Sequence, residues 1–170
     1  MKHTIAVLVE NKPGVLFRVS ALFARRGYNI HSLAVGTTEN PKISRMTIVV
    51  DLPEKPLEHV TKQLYKLINV LKVIELEPAK SVEREMMLIK VNAPPGNRSQ
   101  IVELVEVFRA KIVDVGRDVM TIEVTGSPDK LHAFEELVGP QGVIELVKTG
   151  RIGLSRGAKG ITERGLRAVV

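Results

Sequence analysis

No cysteine occurs among the 170 residues, which removes disulfides, thiol nucleophiles and thiolate-bound metals together. Such a chain suits a reducing compartment. Tryptophan is absent as well, and the only aromatic residues are Phe17, Phe23, Tyr28, Tyr65, Phe108 and Phe134. None falls where the sequence reads as a central strand, so nothing suggests a sheet that stacks nucleic-acid bases on its rings. No run approaches the roughly 18 apolar residues that a membrane-spanning helix needs. Met1-Lys2-His3-Thr4-Ile5 enters a strand at once, leaving no room for a leader peptide. The expected location is the cytoplasm, with neither membrane nor nucleic acid as partner.

Catalytic patterns are missing too. His3, His31, His59 and His132 share no metal-ligand spacing, and no HExxH, Ser-His-Asp order or paired-carboxylate site can be nominated. Gly153-Leu154-Ser155-Arg156-Gly157-Ala158-Lys159 has too few spacers for a phosphate-binding P-loop and follows the last predicted strand. No catalytic residue and no metal site are therefore expected.

What is present is charge of one sign at one end. The formal net charge is +6. Lys148, Arg151, Arg156, Lys159, Arg164 and Arg167 are opposed there only by Glu163. A tail of this kind is read as solvated or docked on protein in preference to nucleic acid, because it offers no ring for stacking.

Hydrophobic periodicity gives the order strand, helix, strand, strand, helix, strand, twice. Ile5–Val9 is an apolar run of strand length. Val15, Leu16, Val19, Leu22 and Phe23 then recur at helical spacing until Gly27, which follows the basic pair Arg25-Arg26. Asn29–Val35 and Arg45–Val50 read as strands joined by a polar turn. Pro53 and Pro56 bracket the start of a second helix carrying Leu57, Val60, Leu64 and Leu67, and Val70–Leu76 closes the set. After a mixed-charge stretch around Pro78 the order repeats. Met86–Val91 is a strand and Ile101, Val102, Val105 and Phe108 mark a helix. Lys111–Val115 and Val119–Thr125 form a hairpin, Ser127-Pro128 caps a further helix, and Val143–Val147 ends the pattern. The fold class is α+β, two ferredoxin-like βαββαβ domains in tandem, each an antiparallel sheet with two helices on one face. The expected limits are 1–76, a linker over 77–84, a second domain over 85–150 and a basic tail over 151–170.

The segment Glu10-Asn11-Lys12-Pro13-Gly14-Val15-Leu16 joins the first strand to the first helix. Asn11 has the chemistry of a helix cap. Pro13 lacks an N–H that the first turn would not use, and Gly14 permits close approach to the backbone. Read blandly this is a capped helix. Read functionally, its free N–H groups and positive helix end can hold the carboxylate of a small ligand. A second segment, Arg26-Gly27-Tyr28-Asn29-Ile30-His31-Ser32-Leu33, ends the helix and begins a strand with Asn29, a residue that strands disfavour.

These two segments resemble signatures of the acetolactate synthase (acetohydroxyacid synthase) small-subunit family, whose first domain is an ACT domain. Ser44-Arg45-Met46-Thr47-Ile48, Val82-Glu83-Arg84-Glu85 with Met87-Leu88, and Gly153-Leu154-Ser155-Arg156-Gly157 are similar to three more of its motifs, in family order. The resemblance implies a non-catalytic regulatory subunit in branched-chain amino-acid biosynthesis. Its partner would be a large catalytic subunit carrying thiamine diphosphate, FAD and magnesium, with none of these on this chain. It further implies a homodimer through the ACT domains, with a branched-chain amino acid such as valine bound between two chains. Asn11, Gly14, Val15 and Leu16 of one chain and Asn29 and Ile30 of its neighbour are the residues it nominates. The competing reading is a free-standing ACT-type amino-acid sensor that serves a different client.

Overall fold

The computed structural model describes residues 2–52 and 57–161. The expected helix start between Pro53 and Pro56, and Glu163, Arg164 and Arg167 of the tail, lie outside them. The chain divides into two compact units, one of residues 1–82 with 151–170 and one of residues 83–150.

In the first unit the strands are β1 (Lys2–Glu10), β2 (Ile30–Thr37), β3 (Ile43–Asp51) and β4 (Val70–Glu75), with helices α1 (Val15–Arg25) and α2 (Leu57–Leu64). The sheet runs β2-β3-β1-β4 with every pair antiparallel, so β2 and β4 are its edges. Alternation along β1 sends Ile5, Val7 and Val9 to the helices, where they meet Val19, Leu22 and Phe23 of α1 and Val60 and Leu64 of α2. Gly27 ends α1 as the sequence leads one to expect. It takes a left-handed φ of 69°, and Gly27 N and Tyr28 N donate to the carbonyls of Ala24 and Phe23, the paired bonds of a Schellman cap.

The second unit repeats the plan with β5 (Ser81–Asn92, of which residues from 83 on belong here), α3 (Arg98–Val107), β6 (Lys111–Val115), β7 (Val119–Gly126), α4 (Pro128–Val138) and β8 (Val143–Lys148). Its sheet order is β6-β7-β5-β8. Met87, Ile89 and Val91 alternate inward against Ile101, Leu131 and Phe134. Phe108 meets Phe134 edge to face, with ring centroids 5.3 Å apart, the arrangement that aromatic quadrupoles favour. Ser127 Oγ accepts from Lys130 N, so the expected cap of α4 forms with Pro128 at its first position.

Two stretches differ from expectation. The mixed-charge segment after β4 is a short 3-10 turn, Pro78–Lys80, and β5 begins directly at Ser81. Glu83, Arg84 and Glu85 hide that strand from a hydrophobicity reading. The basic segment after β8 returns to the first unit, where β9 (Ile152–Ser155) lies among its residues. There Ile161 packs on Leu8, Ile43 and Leu71, on the sheet face turned away from α1 and α2.

Candidate functional site

The start of α1 offers the free donors that the sequence suggests, but by a different construction. Gly14, with φ 83° and ψ −7°, occupies the N-cap position, and no side chain among the described residues caps the helix. Asn11 does not reach the first turn. Its Nδ2 donates to Pro41 O at 2.9 Å and its backbone N to Lys42 O at 2.8 Å, so it fastens the loop to the β2–β3 turn. The N–H groups of Gly14, Leu16 and Phe17 consequently have no protein acceptor among the described residues. They point out of a helix end carrying a partial positive charge.

The surroundings of these donors are open and apolar. A Cβ built on Gly14 meets nothing within 4 Å, so the backbone here is accessible. Val15 is buried in the core, whereas Leu16 is 44% exposed and Phe17 73% exposed. Glu10, at the end of β1, is buried with its carboxylate against the Lys12 ammonium, which balances the charge nearest the loop. Arg18 Nη1 donates to Asn69 Oδ1 at 2.7 Å, while Glu10 N donates to Asn69 O. These contacts hold the first turn of α1 on the end of β4. A small zwitterion could place its carboxylate on the free N–H groups and its side chain beside Leu16.

Asn29 and Ile30 lie at the other end of the same sheet. Ile30 pairs with Val50, which pairs with His3, whereas the loop of Gly14 leaves from Glu10 opposite Ile43. Seven residues of β1 separate those levels, about 23 Å at the usual strand rise. A single chain therefore does not bring Asn29 and Ile30 to Asn11, Gly14, Val15 and Leu16. The side-chain amide of Asn29 is exposed and has no protein partner among the described residues. Its backbone carbonyl accepts from Asp51 N at 3.5 Å.

The strand that begins there is an unusual edge. β2 reads Ile-His-Ser-Leu-Ala-Val-Gly-Thr, with no lysine, glutamate, aspartate or proline to discourage pairing. Among the described residues its backbone pairs on one side only, with β3, and Val35 is 46% exposed. A ladder irregularity falls between Ile30 and Ser32. Sequence reading missed the Pro41–Lys42 turn as the support of Asn11. The only available signal was the polar stretch from Gly36 to Lys42, which does not say what it holds.

Among the described residues no three His, Asp or Glu side chains cluster as metal ligands, and no helix is long and apolar enough to cross a membrane.

Two family models match the chain. Residues 5–72 match the ACT domain of acetohydroxyacid synthase small-subunit-like proteins, and residues 84–157 match the small subunit of acetolactate synthase. The acetolactate synthase small subunit of Mycolicibacterium smegmatis is 56% identical over 159 residues, 94% of each chain. A probable acetolactate synthase small subunit of Archaeoglobus fulgidus is 59% identical over 94% of this chain and 99% of its own. The crystal structure of the acetolactate synthase small subunit from Thermotoga maritima superposes with a TM-score of 0.86 at 43% identity, covering 94% of this chain and 99% of that one.

Proposed function

The chain belongs to the family of acetolactate synthase small subunits, non-catalytic regulatory subunits, and on that premise we propose that it activates a large catalytic subunit and makes acetolactate formation sensitive to feedback by valine. Thiamine diphosphate, FAD and magnesium belong to the large subunit in this reading. Residues 1–76 are the effector domain, residues 85–150 a second regulatory domain, and the cytoplasm is the site of action.

The observation that carries the reading is the pair of half-sites at opposite ends of one sheet. If β2 pairs antiparallel with β2 of a second copy about a two-fold axis, its start falls level with the far end of the strand beside it. Thr37 is opposite Ser44, and Ser44 is opposite Val9. Asn29 and Ile30 of one chain are thereby brought to the same end of the joined sheet as Asn11, Gly14, Val15 and Leu16 of the other. The uncharged edge of β2 supplies the reason to pair. The free N–H groups would take the effector's carboxylate, the unpaired Asn29 amide its polar groups, and Leu16 with Ile30 its branched side chain.

An effector shared by two chains stabilises whichever dimer geometry closes its site. It changes activity only if that geometry differs from the one that activates the large subunit. Couplings of this kind are typically about 1–3 kcal/mol. Calorimetric titration of the small subunit alone with valine, leucine and isoleucine tests the site. The expected result is saturable binding to two equivalent sites per dimer, strongest for valine. Absence of binding by all three would remove the effector reading.

A further inference from the structure

Two of the motifs noted in the sequence, Ser44–Ile48 and Gly153–Gly157, have no place in the effector site, yet the structure joins them. Arg45 Nη2 donates to the buried carbonyl of Gly153 at 2.6 Å. Burial lowers the pKa of this guanidinium from its ordinary value, but an arginine remains charged at neutral pH, so it bridges β3 to the returning segment as a charge-assisted donor.

Arg151 makes two further ties. Its backbone N donates to Ser32 Oγ at 2.7 Å, and its Nη1 donates to Thr4 Oγ1 at 3.1 Å. Arg156 N donates to Lys80 O at 2.8 Å, and Ile161 packs on Leu8, Ile43 and Leu71. All these groups belong to the first unit. The chain enters the second unit after Val82 and leaves it at Gly150. Both crossings are therefore anchored within the first unit, one through Lys80 and the other through Arg151.

Ser32 gives this anchoring its direction. It stands two residues after Ile30 on β2, and the ladder irregularity lies between them. Irregularities of that kind bend and re-aim a strand locally, and they often neighbour binding sites. A ligand that sets the pairing at Ile30 will act on the position of Ser32, and Ser32 holds the first residue after the second unit.

We propose that residues 151–161 form a strap that carries effector occupancy from β2 to the second domain, with Ser32 and Arg45 as its positioning residues. This inference rests on the effector reading above. Its physical content is that the strap's hydrogen bonds differ in strength between the effector-free and effector-bound states, since only such a difference can couple two sites. Neither residue touches the effector.

The test uses the complete small subunit reconstituted with its large subunit, and compares wild type with Ser32→Ala, Arg45→Leu and Arg45→Lys. Three quantities are read for each: valine binding to the small subunit alone, acetolactate formation without valine, and its inhibition across a valine titration. For Ser32→Ala and Arg45→Leu valine should still saturate the small subunit alone, with a binding constant shifted by about as much as the strap's bonds differ between the two states, while the residual rate of acetolactate formation at saturating valine rises by about fivefold or more. Arg45→Lys keeps one donor toward Gly153 and should recover most of the sensitivity, a rescue that mere loss of fold would not show. If both disruptive variants are inhibited as wild type is, the strap plays no part and the inference fails while the effector site stands. If wild type binds no valine, the effector reading fails and the inference falls with it.

Discussion

Replacing Gly14 separates charge from backbone conformation, and the structure sets the size of both effects. Gly14→Asp would place a carboxylate beside the free N–H groups of Leu16 and Phe17. No neighbour within 4 Å of the new Cβ resists it. The φ of 83° is left-handed, which costs an ordinary L-residue roughly 1–2 kcal/mol. Asparagine and aspartate tolerate that region better than most residues. Gly14→Asn therefore carries a similar backbone cost without the charge. Two charge-assisted hydrogen bonds to a ligand carboxylate, at about 1.5–3 kcal/mol each, are the interactions at stake. Losing most of them to the variant's own carboxylate should weaken valine binding by about 3 kcal/mol, roughly a hundredfold or more. The Asn variant should lose about tenfold or less. Calorimetry on both proteins, alongside their melting temperatures, measures the difference. Wild-type affinity in Gly14→Asp would refute the assignment of the carboxylate to this helix start. Equal losses in the two variants would show that backbone strain, not charge, is responsible.

Other perturbations probe the remaining parts. Val35→Lys puts a charge on the exposed edge of β2 and should convert a dimer to monomers in sedimentation velocity, with loss of valine binding. A dimer that persists would place the association elsewhere. Phe134→Ala empties a fully buried position and removes the edge-to-face contact with Phe108. It should lower the stability of the second unit by about 3–5 kcal/mol, read as a lower urea midpoint. Ser127→Ala removes the cap that accepts from Lys130 N and should cost about 1 kcal/mol in the same assay.

Much of the fold is local chemistry and is legible as such. The stripe of Val15, Val19, Leu22 and Phe23 buries one face of α1, and Gly27 and Ser127-Pro128 end and begin helices where their residue types require. The alternation of Met87, Ile89 and Val91 orients β5. β9 was not legible. Ile-Gly-Leu-Ser is too short for a periodicity, and it is held partly by Arg45, 108 residues distant in the chain. The start of β5 was hidden because Glu83, Arg84 and Glu85 carry no strand pattern. Asn11 has the residue type of a cap but finds a better acceptor in Pro41 O, a partner 30 residues away that propensity cannot reveal. Strand register is likewise long-range. Only the pairing of Ile30 with Val50 and of His3 with Val50 places Asn29 and Ile30 at the far end of the sheet from Gly14. The family resemblance nominates the residues, but their division between two ends of one sheet follows from strand register alone.

The central claim is tested most directly by the rate of acetolactate formation by the large subunit from the same organism, measured with and without this protein across a valine titration. The account predicts that the protein raises the rate and that valine reverses the rise. A rate that this protein leaves unchanged at every valine concentration, although the two chains associate, would contradict it.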